Sequence, residues 1–464
     1  MKNRISFWAF LGLMVCFSTV FAQDKSDETP ISYEQYEQLM SRIHELENKI
    51  NKPDSVHQKK IKKGILEIGG YGEAVMHRFF YSDNFNRFYY PDQYKNVKSR
   101  GQFDLPHVVF LVSYDFGKGW KVSSEIEYEH GGTGSAIEIE ADEFGEYEHE
   151  IERGGEVVLE QFWIQKTFNK AVNIRAGHII IPFGITNAHH LPTEFFSVLR
   201  QEEESQIFPC TWHETGISFF GRKNNWNYEA VFVAGLDADM FNDANWIKGG
   251  GTSPYEFKLA NAFAGAFRID NYSVKGLRIG LSGYYGHSAS NSLKADRYKG
   301  LQGAVILGSI DLNYKNYNLW MAANVDYGHL TDSKAISKIN KALPKNSPSP
   351  RTNIASDALC YAVNVGYDFF GLSEKLSAKN MKFYLFGHYG FVNSMLKTEE
   401  GILADKRFGK HLISGGINFY PIKEIVVKVE YGTRLFASSV YNSENTFSIG
   451  ICFSGMFTRN FDKN

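Results

Sequence analysis

The chain has 464 residues, 43% hydrophobic and 22% charged, with 50 basic against 52 acidic side chains and a formal charge of −2. That balance excludes a nucleic-acid binder held by a basic face. With 42 Gly, 37 Phe and 26 Tyr, helix formers do not dominate, which fits a large all-β chain better than a helical enzyme.

The opening MKNRISFWAFLGLMVCFSTVFAQ sets Lys2 and Arg4 before an apolar run, Ile5 to Phe21, and closes on Val20-Phe21-Ala22. This is the order of a secretory signal peptide over residues 1–22, not of a membrane-spanning helix. Cys16, followed by Phe17, makes a poor lipidation signal. Beyond the leader no apolar run is long enough to cross a bilayer as a helix. Removing the leader leaves 48 basic and 52 acidic residues, a net charge of −4. It also leaves Cys210, Cys360 and Cys452, too few and too scattered for a disulfide framework or a zinc pattern.

Residues 23–63 read as a periplasmic coiled-coil-like helix and a polar linker. In ISYEQYEQLMSRIHELENKIN, Tyr36, Leu39, Ile43, Leu46 and Ile50 recur at alternating spacings of 3 and 4, a heptad seam that stops before Pro53. About two heptads are too few to hold chains together alone. A neighbouring oligomer would have to supply the local concentration.

From Gly64 to the end at 464 the pattern is strand after strand. The expected strands are 64–77, 103–116, 119–130, 156–168, 171–181, 211–222, 226–236, 260–270, 276–287, 302–315, 317–328, 357–370, 381–391, 409–420, 424–434 and 445–457. Mostly short connections, such as 169–170, 223–225 and 421–423, alternate with long ones at 78–102, 131–155, 182–210, 237–259, 288–301, 329–356, 392–408 and 435–444. A soluble sandwich has no reason for this alternation. A transmembrane antiparallel β-barrel has tight turns at its periplasmic end and long loops outside.

Side-chain parity points the same way. In WKVSSEIEYEH, Trp120, Val122, Ile126 and Tyr128 share one face, and Glu125, Glu127 and Glu129 share the other. In TFSIGICFSGMF, Phe447, Ile449, Ile451, Phe453 and Phe457 face out, whereas Ser448, Gly450, Cys452 and Ser454 face in. Strands this apolar would aggregate in water, and closing the sheet in lipid removes both the exposed edge and the exposed oil. Three like charges in a dry core would be prohibitively costly, so the acidic row is expected to meet water in a lumen. About sixteen strands enclose enough space for one.

The stretches VNIRAGHIIIPFG (172–184), EFFSVLRQEEESQIFPCTWHETGISFFG (194–221), ANAFAGAFRID (260–270) and GGINFYPIKEIVVKVEYGT (415–433) resemble the phosphate-selective porin O/P family of Bacteroidota-type outer membranes. The resemblance spans roughly 64–457 and implies a sixteen-stranded outer-membrane barrel, usually a homotrimer, with long loops narrowing the pore. It also implies a ladder of lumenal arginines. Parity puts Arg175, Arg268, Arg278 and Lys428 inward, but also Glu73, Glu125, Glu127, Glu129, Glu229, Asp311 and Glu430. Phosphate or other anions are what the resemblance implies; the acidic row argues for mixed or weak selectivity.

The 182–210 loop, with Pro at both ends, suits a segment folded into the pore mouth. There His189, His190, Arg200 and Glu202 to Glu204 would set charge preference. Adjacent histidines on an extended backbone point apart, and no carboxylate or Cys spacing completes a set with them, His178 or His213, so no metal is expected. The 131–156 stretch holds nine carboxylates, and its AIEIE and YEHEIE segments alternate as an exposed hairpin would. That hairpin would either attract cations at the entrance or serve as a solvated face. No nucleophile turn or phosphate-cradling loop is present, so neither enzyme activity nor a cofactor is expected.

The expectation is therefore a porin for passive diffusion of small hydrophilic solutes or ions, seated in outer-membrane lipid. Its pore would be lined by Glu125, Glu127, Glu129, Arg175, Arg268, Arg278, Lys428 and Glu430. The alternative is a barrel that anchors surface loops around a plugged lumen.

Overall fold

The computed structural model describes residues 64–458 apart from 97–99, 132–135, 141–147, 153–154, 252–257, 293–294, 346 and 348. The leader, the heptad segment and the linker, residues 1–63, lie outside the described residues, as does part of the acidic 131–156 stretch.

Sixteen strands close into one antiparallel barrel. They are β1 (Ile65–Phe79), β2 (Arg100–Asp104 continued by His107–Gly117), β3 (Trp120–Glu129), β4 (Val157–Thr167), β5 (Asn173–Ile180), β6 (His213–Lys223), β7 (Trp226–Ala234) and β8 (Phe263–Val274). The other half is β9 (Leu277–His287), β10 (Ala304–Asn316), β11 (Leu319–Leu330), β12 (Asp357–Asp368), β13 (Lys382–Lys397), β14 (Gly409–Ile422), β15 (Ile425–Phe436) and β16 (Glu444–Met456). Each pairs with its neighbours in sequence, and β16 returns to β1 from Gly69↔Met456 to Phe79↔Thr446, leaving no edge. Leu105 and Pro106 interrupt β2, since proline has no N–H for the ladder, yet both parts pair with β1. Within the acidic stretch, Ala136–Glu140 and Glu148–Glu152 form a separate two-stranded sheet.

Two boundaries differ from the sequence expectation for physical reasons. The residues NYSV look like turn formers, but β8 absorbs them in a bulge between Asn271 and Val274, and the turn tightens to Lys275 and Gly276. Gly276 takes φ +76°, which favours glycine. Strand β13 runs six residues past the expected 391 because Ser394 and Met395 are buried beneath the long connections; Ser394 Oγ donates to the Asp243 carbonyl at 2.5 Å.

The alternation has opposite consequences for the two faces. Outward residues such as Ile164, Phe219, Phe232, Leu281, Ile310 and Ile451 are exposed, forming the apolar belt that a bilayer covers. Ile310 sits mid-strand between the outward residues Leu281 and Val325. Ile310→Arg is expected to destabilise the folded barrel by about 2–4 kcal/mol in urea-driven unfolding from lipid vesicles. Among the described residues, two buried apolar clusters contain chain that enters the barrel. One cluster includes Phe183, Phe208, Trp212, Phe241 and Trp246, and another joins Phe196 to Trp320, Tyr384, Phe386 and Tyr420.

Candidate pore constriction

The connection from β5 to β6 does not stay at the rim. Apart from the exposed Leu199, its residues are buried or half-buried, and its polar contacts reach the opposite wall. Entry depends on Gly184, which has φ +74° and whose missing Cβ leaves room for the Glu204 carboxylate. Short helices at Gly184–Ala188 and Glu202–Ile207 flank an irregular tip.

The far wall grips that tip by its backbone. Lys428 Nζ donates to the carbonyls of Phe195 (3.0 Å) and Ser197 (2.7 Å), and Asn418 Nδ2 donates to Phe196 O at 3.0 Å. Tyr420 OH donates to Thr193 O at 3.2 Å, while Glu430 Oε2 accepts from Val198 N at 2.8 Å. These contacts satisfy loop backbone groups that would otherwise be stranded inside the barrel.

A second clamp holds the loop's start. Arg268 Nη1 donates to Gly184 O at 2.8 Å, and the same guanidinium bonds Asp270 and Asp311 at 2.9–3.1 Å. Arg278 reaches the same two carboxylates at 2.9 and 2.5 Å. Gly280 lies between the guanidiniums; a Cβ there would collide with Arg268, Arg278 and Asp311.

The β1–β4 wall is acidic. Glu125 and Glu127 point inward and are 4% and 3% exposed, meeting the infolded loop and their neighbours rather than open water. Gln161 donates to Glu125, and His107 Nδ1 lies 2.6 Å from Glu127 Oε1. Glu129 ends β3 directly across from His107. Glu160 accepts from Tyr71 OH at 3.0 Å and from Thr211 Oγ1.

Arg200 faces this wall from the loop, its Nη2 3.4 Å from Tyr71 OH. Burial alone would make its guanidinium easier to deprotonate, but Tyr71, Glu160, Glu127 and Glu73 outweigh that and hold it charged. His190 packs edge-on against Tyr71, and burial lowers its pKa despite the pull of Glu160. His189 lies 3.6 Å from Glu194. Glu202 pairs with Arg434 at 2.6 Å, and Arg434 with Lys410 overcomes burial to keep the Glu202 pKa low. Burial, reinforced by Asp326, pushes Glu204 up.

The expected residues thus fall into separate groups. Glu125, Glu127 and Glu129 share the acidic wall with Arg200. Arg268 and Arg278 belong to one clamp, and Lys428 and Glu430 to the other. Arg175 stands apart, its guanidinium 4.7 Å from the Trp163 ring centre and 4.6 Å from that of Phe220.

Glu160, Tyr71, His388 and Arg434 were not singled out from sequence. Arg434 shares the inward parity of Lys428 and Glu430, and His388 that of Tyr384 and Phe386. The His388 ring Nε2 lies 2.7 Å from Glu203 Oε1. Strict alternation would put Glu160 outward with Phe162 and Ile164. A bulge opposite Glu125 and Ile126 turns it in.

No protein-family model matches the chain. A curated relative, an uncharacterized protein of Aquifex aeolicus, is 31% identical over 180 residues, which cover 39% of this chain and only 34% of the relative's own length. Among solved structures the barrel is similar to Salmonella typhi OmpF in complex with daunomycin, at 11% identity and TM-score 0.50, covering 84% of this chain and 97% of that one. The anion-selective porin of Comamonas acidovorans matches at 10% identity and TM-score 0.48, covering 85% and 100%. At such identity the likeness to the OmpF structure is one of fold: a closed sixteen-stranded porin-type barrel.

Proposed function

We propose that the protein is an outer-membrane channel for passive diffusion of small hydrophilic solutes or ions, with the β5–β6 connection as its constriction. The observation that carries this reading is the loop, which crosses the barrel and is tied by its backbone to the far wall. A surface anchor has no need to suspend a charged segment across its own interior, whereas a filter does. No residue need react; the field across the constriction does the selecting.

The charge balance at the constriction supports weak cation preference over phosphate selectivity. Arg268 and Arg278 are engaged by Asp270 and Asp311, Lys428 by loop carbonyls, and Arg434 by Glu202 and Glu444. On the β1–β4 wall, by contrast, Glu73, Glu125, Glu127, Glu129 and Glu160 face Arg200. The homotrimer and the surrounding outer-membrane lipid that the family resemblance implies belong to the same proposal.

Planar-bilayer recording across a salt gradient tests it. The wild-type protein is expected to give discrete conductance steps, and Glu125→Gln, Glu127→Gln and Glu129→Gln together should shift the reversal potential toward anions. Steps without a shift would place the row outside the conducting path. A folded protein without steps would favour the anchor with a plugged lumen.

A further inference from the structure

We infer that His107, Glu127 and Glu129, backed by Glu73, form a binding site for a first-row divalent metal ion of the zinc type on the inner face of β1–β3. The site depends on strand geometry. His107 and Glu129 are register partners on adjacent strands, and Glu127 lies one inward position further along β3. Glu73 comes from β1, where Gly72 pairs with Val108, so all four side chains converge at the end with the long connections.

One ligand atom from each of His107, Glu127 and Glu129 lies within 4.8 Å of the other two. Zn–N and Zn–O bonds of about 2.0–2.2 Å place donors about 3–4 Å apart, so modest side-chain rotation closes the set. His107 Nδ1 and Glu127 Oε1 already lie 2.6 Å apart, and a metal ion between them would replace that hydrogen bond.

Glu73 supplies an independent sign. Its side chain is 2% exposed, and among the described residues its Oε2 has no hydrogen-bond partner. Its Oε1 lies 3.7 Å from His107 Nε2, on the ring edge opposite Glu127. A carboxylate behind a histidine fixes the ring and its tautomer when the other nitrogen binds a metal. Lys428, the other nearby cation, is engaged by loop carbonyls. Arg200 bonds Tyr71, which bonds Glu160, and it also feels Glu73 and Glu127, so it is one loop cation set among several carboxylates. One imidazole with two or three carboxylates suits first-row dications; an all-oxygen cage would suit Ca²⁺ or Mg²⁺.

Calorimetric titration of the folded, detergent-solubilised full chain with Zn²⁺ tests the site without any current. One saturable equivalent per chain is expected, weakened at least about tenfold in Glu129→Gln and in His107→Gln and unchanged in Glu399→Gln, which is remote from the site. Co²⁺-loaded protein should show visible absorption that His107→Gln removes. Glu129 is only half-buried, so Glu129→Gln decides the matter should His107→Gln fail to fold. No saturable equivalent, wild-type affinity in both site variants, or Mg²⁺ binding as tightly as Zn²⁺ would overturn the inference. Binding does not rest on the channel reading: zinc uptake without conductance steps would remove the channel and leave the site.

Discussion

Replacing residues 185–209 with a short Gly-Ser bridge is expected to raise single-channel conductance severalfold and to move the reversal potential toward anions. The barrel should survive, because Ile180 and His213 are register partners and a hairpin bridge can join them. A sixteen-stranded cylinder leaves an aqueous passage unless something crosses it, and here the β5–β6 connection does. The deleted segment contains Glu194, Glu202, Glu203 and Glu204 against a single Arg200, so its loss removes more negative than positive charge. It also frees Lys428 from the carbonyls of Phe195 and Ser197. Both effects favour anions. Unchanged conductance in a protein that still migrates as a folded barrel would mean that ions bypass the loop, and the constriction reading would fall.

The fold was legible because the bilayer imposes a period of two on every strand. Trp120, Ile126 and Tyr128 on one face and Glu125 and Glu127 on the other need no tertiary knowledge to be sorted. The strand ends were less legible. Asn271 and Ser394 look like turn residues, yet a bulge and a contact beneath the long connections keep them in strands.

The infolded β5–β6 connection was legible as a segment and as a list of charges, but not as an arrangement. Parity tells that Lys428 and Arg268 point inward; it cannot tell that they end on loop carbonyls, which lie 84 to 233 residues away in sequence, or that Arg268 also meets Asp311, 43 residues away. Glu160 was hidden by a single extra residue in β4, which reverses parity where strict alternation is assumed. The acidic row was expected to face water, and it faces inward. What lies against it is chain from the β5–β6 connection, a fact that no local pattern encodes.

Arg268→Ala is expected to be the most destabilising single substitution considered, lowering unfolding stability by about 3–5 kcal/mol. The side chain of Asp311 is fully buried, and Arg268 supplies one of its two guanidinium partners. Removing that fork leaves a buried carboxylate with half its compensation and also strands the Gly184 carbonyl at the loop's entry. Arg268→Lys keeps the charge but cannot reach Asp270, Asp311 and Gly184 at once, so its cost should be intermediate. The double variant Arg268→Ala, Asp311→Asn separates the contributions. If the orphaned charge dominates, neutralising Asp311 recovers most of the loss; if loop attachment dominates, it recovers little. Urea unfolding from vesicles measures the first quantity, and limited proteolysis between Gly184 and Pro209 in the folded barrel reports the second. A single variant as stable and as protease-resistant as wild type would show that the quartet of Arg268, Arg278, Asp270 and Asp311 does not clamp the loop. The far-wall bonds from Lys428, Asn418 and Tyr420 would then have to hold it alone.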